Sequence, residues 1–176
     1  EEIPDQELEG LAAQLHEILE VWDRHTNLER PTQFELYTAL AFLYFVSKSV
    51  DLAVVEVGLG GRLDATNLVN PLISVLTPIN YDHTERLGTS VEEIAREKAG
   101  IIKKSGRVVL APQQEQAAAV ITGVCQSLQA EVCWVGKDVT YRKKTALSGQ
   151  NCFDYQGKNI NCFDLCFSLL GEHQII

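Results

Sequence analysis

The chain of 176 residues carries 15 Lys and Arg against 24 Asp and Glu, a formal net charge of −9, with 45% hydrophobic and 22% charged residues. That profile belongs to a globular protein long enough to bury a core. It argues against a general nucleic-acid binder, which needs clustered basic residues to meet phosphate. A membrane span of about 18 apolar residues is excluded as well, because the run Phe34–Val46 is shorter and is interrupted by Glu35 and Thr38. No signal peptide is expected.

Methionine is absent, position 1 included, so the chain is expected to belong to a longer translation product. The five cysteines stand at 125, 133, 152, 162 and 166, with no Cys-x-x-Cys and no His at finger-like spacing. Neither a zinc site nor a disulfide framework is signalled, and reduced thiols in a cytoplasmic protein are expected.

In chain order, residues 5–20 read as an amphipathic helix capped by Asp5, with Leu8, Leu11, Ala12, Leu15, Ile18 and Leu19 at helical spacing. A polar, irregular stretch should run from Asp23 to Pro31. Thr32-Gln33-Phe34-Glu35 then has the form of a capping box. The helix it opens is apolar on nearly every side through Val46, which places it deep in the core. Leu52–Val57 is β-branched and reads as a strand buried on both faces, ended by the glycine turn Gly58–Arg62. Ile73–Thr77 is a second such strand, stopped by Pro78. Ser90–Ala99 reads as a helix with Ser90 and Glu93 as its capping box and Gly100 past its end. Arg107–Ala111 and Glu131–Val135 are further strands, separated by a helix over about 115–129. Strands alternating with helices predict an α/β fold with a mostly parallel sheet flanked by helices. After Gly136, Thr140–Tyr141, Cys152–Tyr155 and Cys162–Leu169 read as short strands of an antiparallel appendage. Residues 1–136 are therefore expected to form the α/β part and 137–176 a β appendage.

Three side chains stand out against this frame. Glu56 lies among Ala53, Val54, Val55 and Val57 at the carboxyl end of a strand. A carboxylate there is buried and pairs or binds a metal, or it turns to solvent or to Arg62. Asp82-His83 follows the second strand in the same way, where open α/β sheets place ligands. The imidazole and Glu56 could converge on one cation, or His83 could sit on a surface loop. Lys98 falls on the inward stripe of its helix with Val91, Ile94 and Ala95. It either snorkels or offers a desolvated amine for covalent chemistry. The turn Gly58–Arg62 allows close backbone approach to a ligand, with Arg62 able to meet an anion. No P-loop motif occurs in these 176 residues.

The run Glu56-Val-Gly-Leu-Gly-Gly-Arg-Leu-Asp-Ala-Thr-Asn67 resembles the signature of folylpolyglutamate synthases and dihydrofolate synthases. Thr32–Glu35, Asp82-His83, Glu97-Lys-Ala-Gly-Ile101 and Leu170-Gly-Glu-His-Gln174 follow that family's order. The family lies within the Mur-ligase-like superfamily, whose members join an amine to a carboxylate using ATP and magnesium. The resemblance implies that Glu56 and His83 ligate Mg2+, and that Lys98 is carbamylated and helps to hold the metal as an anion. It implies that Thr32, Gln33, Phe34, Glu35, Arg62, Leu63, Asp64 and Ala65 line the pterin or folate pocket. It implies a cytoplasmic ligase, monomeric when full length, that acts on dihydropteroate or folate, L-glutamate and ATP. It further implies that a P-loop precedes residue 1 and a carboxy-terminal domain follows Ile176, so the isolated chain is expected to be inactive. The competing expectations are a non-catalytic α/β interaction module and another Mur-ligase-like amide ligase.

Overall fold

The computed structural model describes residues 2–144, 150–169 and 171–176, so Leu170 of the last motif lies outside the described residues. The chain divides into two compact units, Glu1–Gly58 and Leu59–Ile176.

The first unit contains helices α1 (Asp5–His25) and α2 (Gln33–Ser47). Helix α1 runs five residues past the predicted end, because Trp22 extends the stripe of Leu11, Leu15, Ile18 and Leu19, and Arg24 donates to Glu20 one turn back. Pro4, not Asp5, occupies the N-cap, and Asp5 and Glu7 instead complement the positive end of the helix from its first turn. Helix α2 opens at the predicted capping box. Its depth differs from expectation: Thr38 is its buried residue, and Tyr37 and Val46 are exposed. A 15-residue helix that is apolar all round needs neighbours on every side to be buried, and α1 packs against it on one.

Leu52–Val57 also departs from the reading as a buried strand. It is assigned to no strand, and Val54 is 91% exposed. β-branched composition favours an extended backbone, but a strand exists only with a ladder partner, and no described segment pairs with this one.

The second unit holds a parallel sheet in the order β1-β2-β3, from Ser74–Leu76, Arg107–Leu110 and Glu131–Trp134. The short helix α3 (Thr84–Leu87) and α4 (Val91–Ala99) connect β1 to β2, and α5 (Glu115–Leu128) connects β2 to β3. Leu76, Val108 and Leu110 face Ile94, Ala95, Ala117 and Ile121 in one core, all nearly or fully buried. β1 alternates buried, exposed, buried, which is the pattern of a strand covered on one face only and corrects the expectation of a strand buried on both.

An antiparallel sheet follows, in the order β4-β5-β6 from Thr140–Lys144, Asn151–Gln156 and Asn161–Phe167. Its centre is polar. Asp154 is buried and accepts from Arg142 and from the backbone of Asp164, with Lys144 in ion-pair contact at 2.6 Å. These partners hold its carboxyl far below the usual range. Cys152 and Cys166 stand directly opposite in the β5–β6 register with Cα atoms 4.2 Å apart, and are joined as a disulfide. This corrects the expectation of five reduced thiols; Cys125, Cys133 and Cys162 are free.

Candidate active site

The glycine turn is closed by its own side chains. Gly60 and Gly61 have φ of 73° and 154°, which glycine adopts without a Cβ penalty. Asp64 accepts from the backbone N–H of Leu59 and Thr66, both at 2.9 Å, and from the Thr66 hydroxyl. Asp64 is thereby committed to holding the turn, while Leu63 projects to solvent and Ala65 begins a single 3-10 turn.

That turn docks on the end of α4. The Arg62 N–H donates to Glu97 O at 2.9 Å, and Arg62 Nε donates to Glu97 Oε1 at 2.9 Å. Arg62 therefore has Glu97 as its carboxylate partner rather than Glu56. A Cβ on Gly61 would fall 2.9 Å from Glu97 O and 3.0 Å from Lys98 O, so only glycine lets the two backbones approach this closely. Asn67 Nδ2 donates to both Arg62 O and Gly100 O at 3.1 Å, and Lys103 Nζ donates to Asn67 O and Oδ1 at 2.8 Å.

Helix α4 is positioned by the predicted capping box. Ser90 accepts from the Glu93 N–H, and Glu93 accepts from the N–H groups of Thr89 and Ser90. Those donors hold the Glu93 carboxyl below its ordinary range. Val91, Ile94, Ala95 and Ala99 are buried as the spacing predicts, and Lys98 is half-buried in the last turn. No described ion pair involves Lys98.

His83 occupies the left-handed region, φ 47° and ψ 43°, at the N-cap of α3. Few non-glycine residues sit there, and those that do are held by their surroundings. The His83 carbonyl accepts from the N–H groups of Arg86 and Leu87 at 2.9 and 3.0 Å. The loop before it is tied down by Gln113, after β2, whose Oε1 accepts from the Ile79 N–H and whose Nε2 donates to Thr77 O, both at 2.9 Å. Asn80 next to it accepts from Gln114. The ring nitrogens of His83 lie 3.7 Å from Asp82 Oδ1 and 3.8 Å from Glu85 Oε1. Those separations are too long for hydrogen bonds, so two carboxylates flank a half-exposed imidazole without accepting from its ring N–H.

In the first unit, Glu35 accepts from the Thr32 N–H and hydroxyl, both at 2.7 Å, and these bonds hold its carboxyl below the ordinary range. Thr32 and Glu35 thus fix the start of α2. Gln33 donates to Tyr37 OH, and the half-exposed ring of Phe34 lies against Gly58, where any Cβ would collide with it. Glu56 is exposed, which fits the alternative that turns it to solvent and corrects the one that buries it. Its burial depended on a strand that Leu52–Val57 does not form.

Within the second unit, then, Arg62, Asp64 and Ala65 share one hydrogen-bonded assembly with the turn that carries Lys98. Glu56 and Thr32–Glu35 belong to the first unit. Lys103 and Gln113 escaped notice in the sequence, and Asn67 has no role of its own there. Asn67 ends the glycine-turn motif, but Lys103 and Gln113 carry no local signal, since their partners lie 36 and 34 residues away.

The Mur ligase middle domain family matches residues 8–176. A dihydrofolate synthase/folylpolyglutamate synthase of Bacillus subtilis is 39% identical over 173 residues, covering 98% of this chain and 40% of the relative. A folylpolyglutamate synthase solved as a complex with AMPPCP and folate superposes with a TM-score of 0.94 at 35% identity, over 99% of this chain and 42% of that one. The folylpolyglutamate synthase of Thermotoga maritima gives 0.88 at 36% identity, over 99% and 39%. The chain spans about two-fifths of the length of these relatives. The chain belongs to the Mur ligase middle domain family, and its relatives there are folylpolyglutamate and dihydrofolate synthases.

Proposed function

We propose that the protein carrying this chain is a cytoplasmic, monomeric ATP-dependent ligase that joins L-glutamate to dihydropteroate, to the γ-carboxylate of folates, or to both. Residues 1–136 would be part of its central ligase domain and 137–176 a β appendage. The observation that carries the reading is the docking of the glycine turn onto the last turn of α4, with an unpaired, half-buried Lys98 at the junction. The folate and AMPPCP complex of a relative 35% identical to this chain supports it.

In this reaction a substrate carboxylate attacks the terminal phosphate of ATP and ADP leaves. The amine of glutamate then attacks the acyl phosphate and expels inorganic phosphate. Glu56, His83 and Lys98 would hold Mg2+. No group of three or more His, Cys, Asp or Glu side chains that could hold a metal ion is present among the described residues, so the set would depend on converting Lys98 into an anion. The neutral Lys98 amine takes up carbon dioxide and releases a proton, giving a carbamate. Bound magnesium supplies stabilisation for charge spread over the transferred phosphoryl group. The donor types suit magnesium, since the exposed Glu56 carboxylate and a carbamate on Lys98 supply oxygen ligands and the half-exposed His83 supplies a ring nitrogen. Phe34 and Leu63 offer exposed apolar surface to a pterin ring. Thr32, Gln33 and Glu35 shape the start of α2, which carries Phe34; Asp64 and Ala65 shape the turn that carries Leu63. Arg62 presents its remaining guanidinium donors to a substrate anion.

The test is glutamate incorporation by the native protein with ATP and magnesium, supplied with dihydropteroate or with a reduced folate. Acceptor-dependent release of ADP with one new glutamyl bond supports the reading. ADP release that ignores both acceptors would end it.

A further inference from the structure

We propose that Lys103 and Asn67 form a positioning clamp that sets the turn carrying Lys98 against the glycine turn; the catalytic half of this inference rests on the function proposed above. Helix α4 ends without the usual left-handed closure, because Gly100 has φ −62° and its carbonyl has no partner within the helix. The partner comes from outside. Asn67 Nδ2 satisfies Gly100 O and also Arg62 O, so one amide group ties the helix end to the glycine turn.

Lys103 holds that amide in place. Its ammonium spans Asn67 O and Oδ1, 2.8 Å from each, which fixes the side-chain amide in the one orientation that points Nδ2 at both carbonyls. No described ion pair includes Lys103, and it is half-buried. An ammonium at such a depth ordinarily seeks a carboxylate, so its use on a neutral amide is notable for what it orients. The chain of bonds runs Lys103 to Asn67 to Gly100 and Arg62, and from Arg62 to Glu97. Lys98 sits between the last two anchor points on α4, Glu97 and Gly100. The clamp therefore removes the fraying that helix ends otherwise undergo at the residue whose amine must meet a metal.

The test uses Lys103→Met and Asn67→Asp in the native protein. Lys103→Met keeps the apolar stem and loses the ammonium. Asn67→Asp keeps an acceptor for Lys103 but cannot donate to Arg62 O or Gly100 O. Hydrogen exchange of the Arg62 and Gly100–Ile102 amides reads the clamp without any need for turnover. Both variants should speed exchange there about tenfold or more, with α5 and β2 unchanged. In the ligase assay kcat should fall about tenfold and the magnesium requirement should rise, while KM for folate is kept. Unchanged local exchange overturns the clamp. Faster exchange with unchanged kcat and magnesium dependence overturns its catalytic role. Loss of ligase activity in the unsubstituted protein would count against the proposed function alone, because exchange still decides the clamp.

Discussion

Replacing Gly100 and Gly123 by alanine, one at a time, sets a single chemical change in two environments with opposite consequences. Both glycines have ordinary backbone angles for alanine, Gly100 with φ −62° and Gly123 inside α5. A Cβ on Gly123 meets nothing within 4 Å, so the change relieves a helix of glycine's entropy and stabilises by about 0.5–1 kcal/mol. A Cβ on Gly100 would lie 2.5 Å from Arg62 Cα, against about 3.5–4 Å for carbon atoms in contact. The glycine turn must then move off α4 by about 1 Å. That displacement stretches the Asn67-to-Gly100 bond of 3.1 Å and the Arg62-to-Glu97 bond of 2.9 Å beyond hydrogen-bonding range. Two such bonds contribute about 1 kcal/mol each, and the overpacking adds about 1–3 kcal/mol. The expected loss is about 3–5 kcal/mol, or a fall in melting temperature of roughly 6–20 °C. Urea and thermal unfolding of the native protein read both changes, and turnover should fall in the Gly100 variant alone. Equal and small effects from the two substitutions would refute the reasoning, because the docked turn would then not be tight.

His83→Asn keeps a residue tolerant of the left-handed conformation but removes the imidazole. Stability should stay within about 0.5 kcal/mol while the magnesium-dependent turnover collapses; retained turnover would remove His83 from the metal set. Gln113→Leu strands the N–H of buried Ile79 and the Thr77 carbonyl, at a cost of about 1–3 kcal/mol, and calorimetry should show it. The pH dependence follows from Asp154, Glu93 and Glu35, whose carboxyls are all held below their ordinary range. Depressed values mean that their stabilisation is present above the unfolded value of about 4 and is lost as pH falls through the folded values. Urea midpoints should therefore decline below about pH 4, and Asp154→Asn should flatten that decline.

Local signals were the ones the sequence stated well. Ser90 with Glu93 and Thr32 with Glu35 are complete within four residues, and both capping boxes form as read. The alternation of Ile73–Thr77, Ser90–Ala99, Arg107–Ala111 and residues 115–129 suffices for a parallel sheet. What failed depends on partners elsewhere in the chain. Leu52–Val57 has strand composition but no ladder partner among the described residues, and Glu56 is exposed as a result. The apolar helix α2 reads as core from its composition, yet burial is set by what packs on it. The pairing of Cys152 with Cys166 follows from the β5–β6 register, which a count of cysteines cannot supply. Lys103 and Gln113 look like ordinary polar residues until folding brings them to Asn67 and to the loop ahead of His83.

The most direct test of the central claim follows one oxygen atom. The native protein is given folate labelled with oxygen-18 in its γ-carboxylate, or dihydropteroate labelled in its carboxylate, with ATP, magnesium and glutamate. Ligation through an acyl phosphate transfers one labelled oxygen to the inorganic phosphate released for each glutamyl bond formed. Unlabelled phosphate, or phosphate released without ligation, would contradict the assignment of this chain to a glutamate-adding ligase.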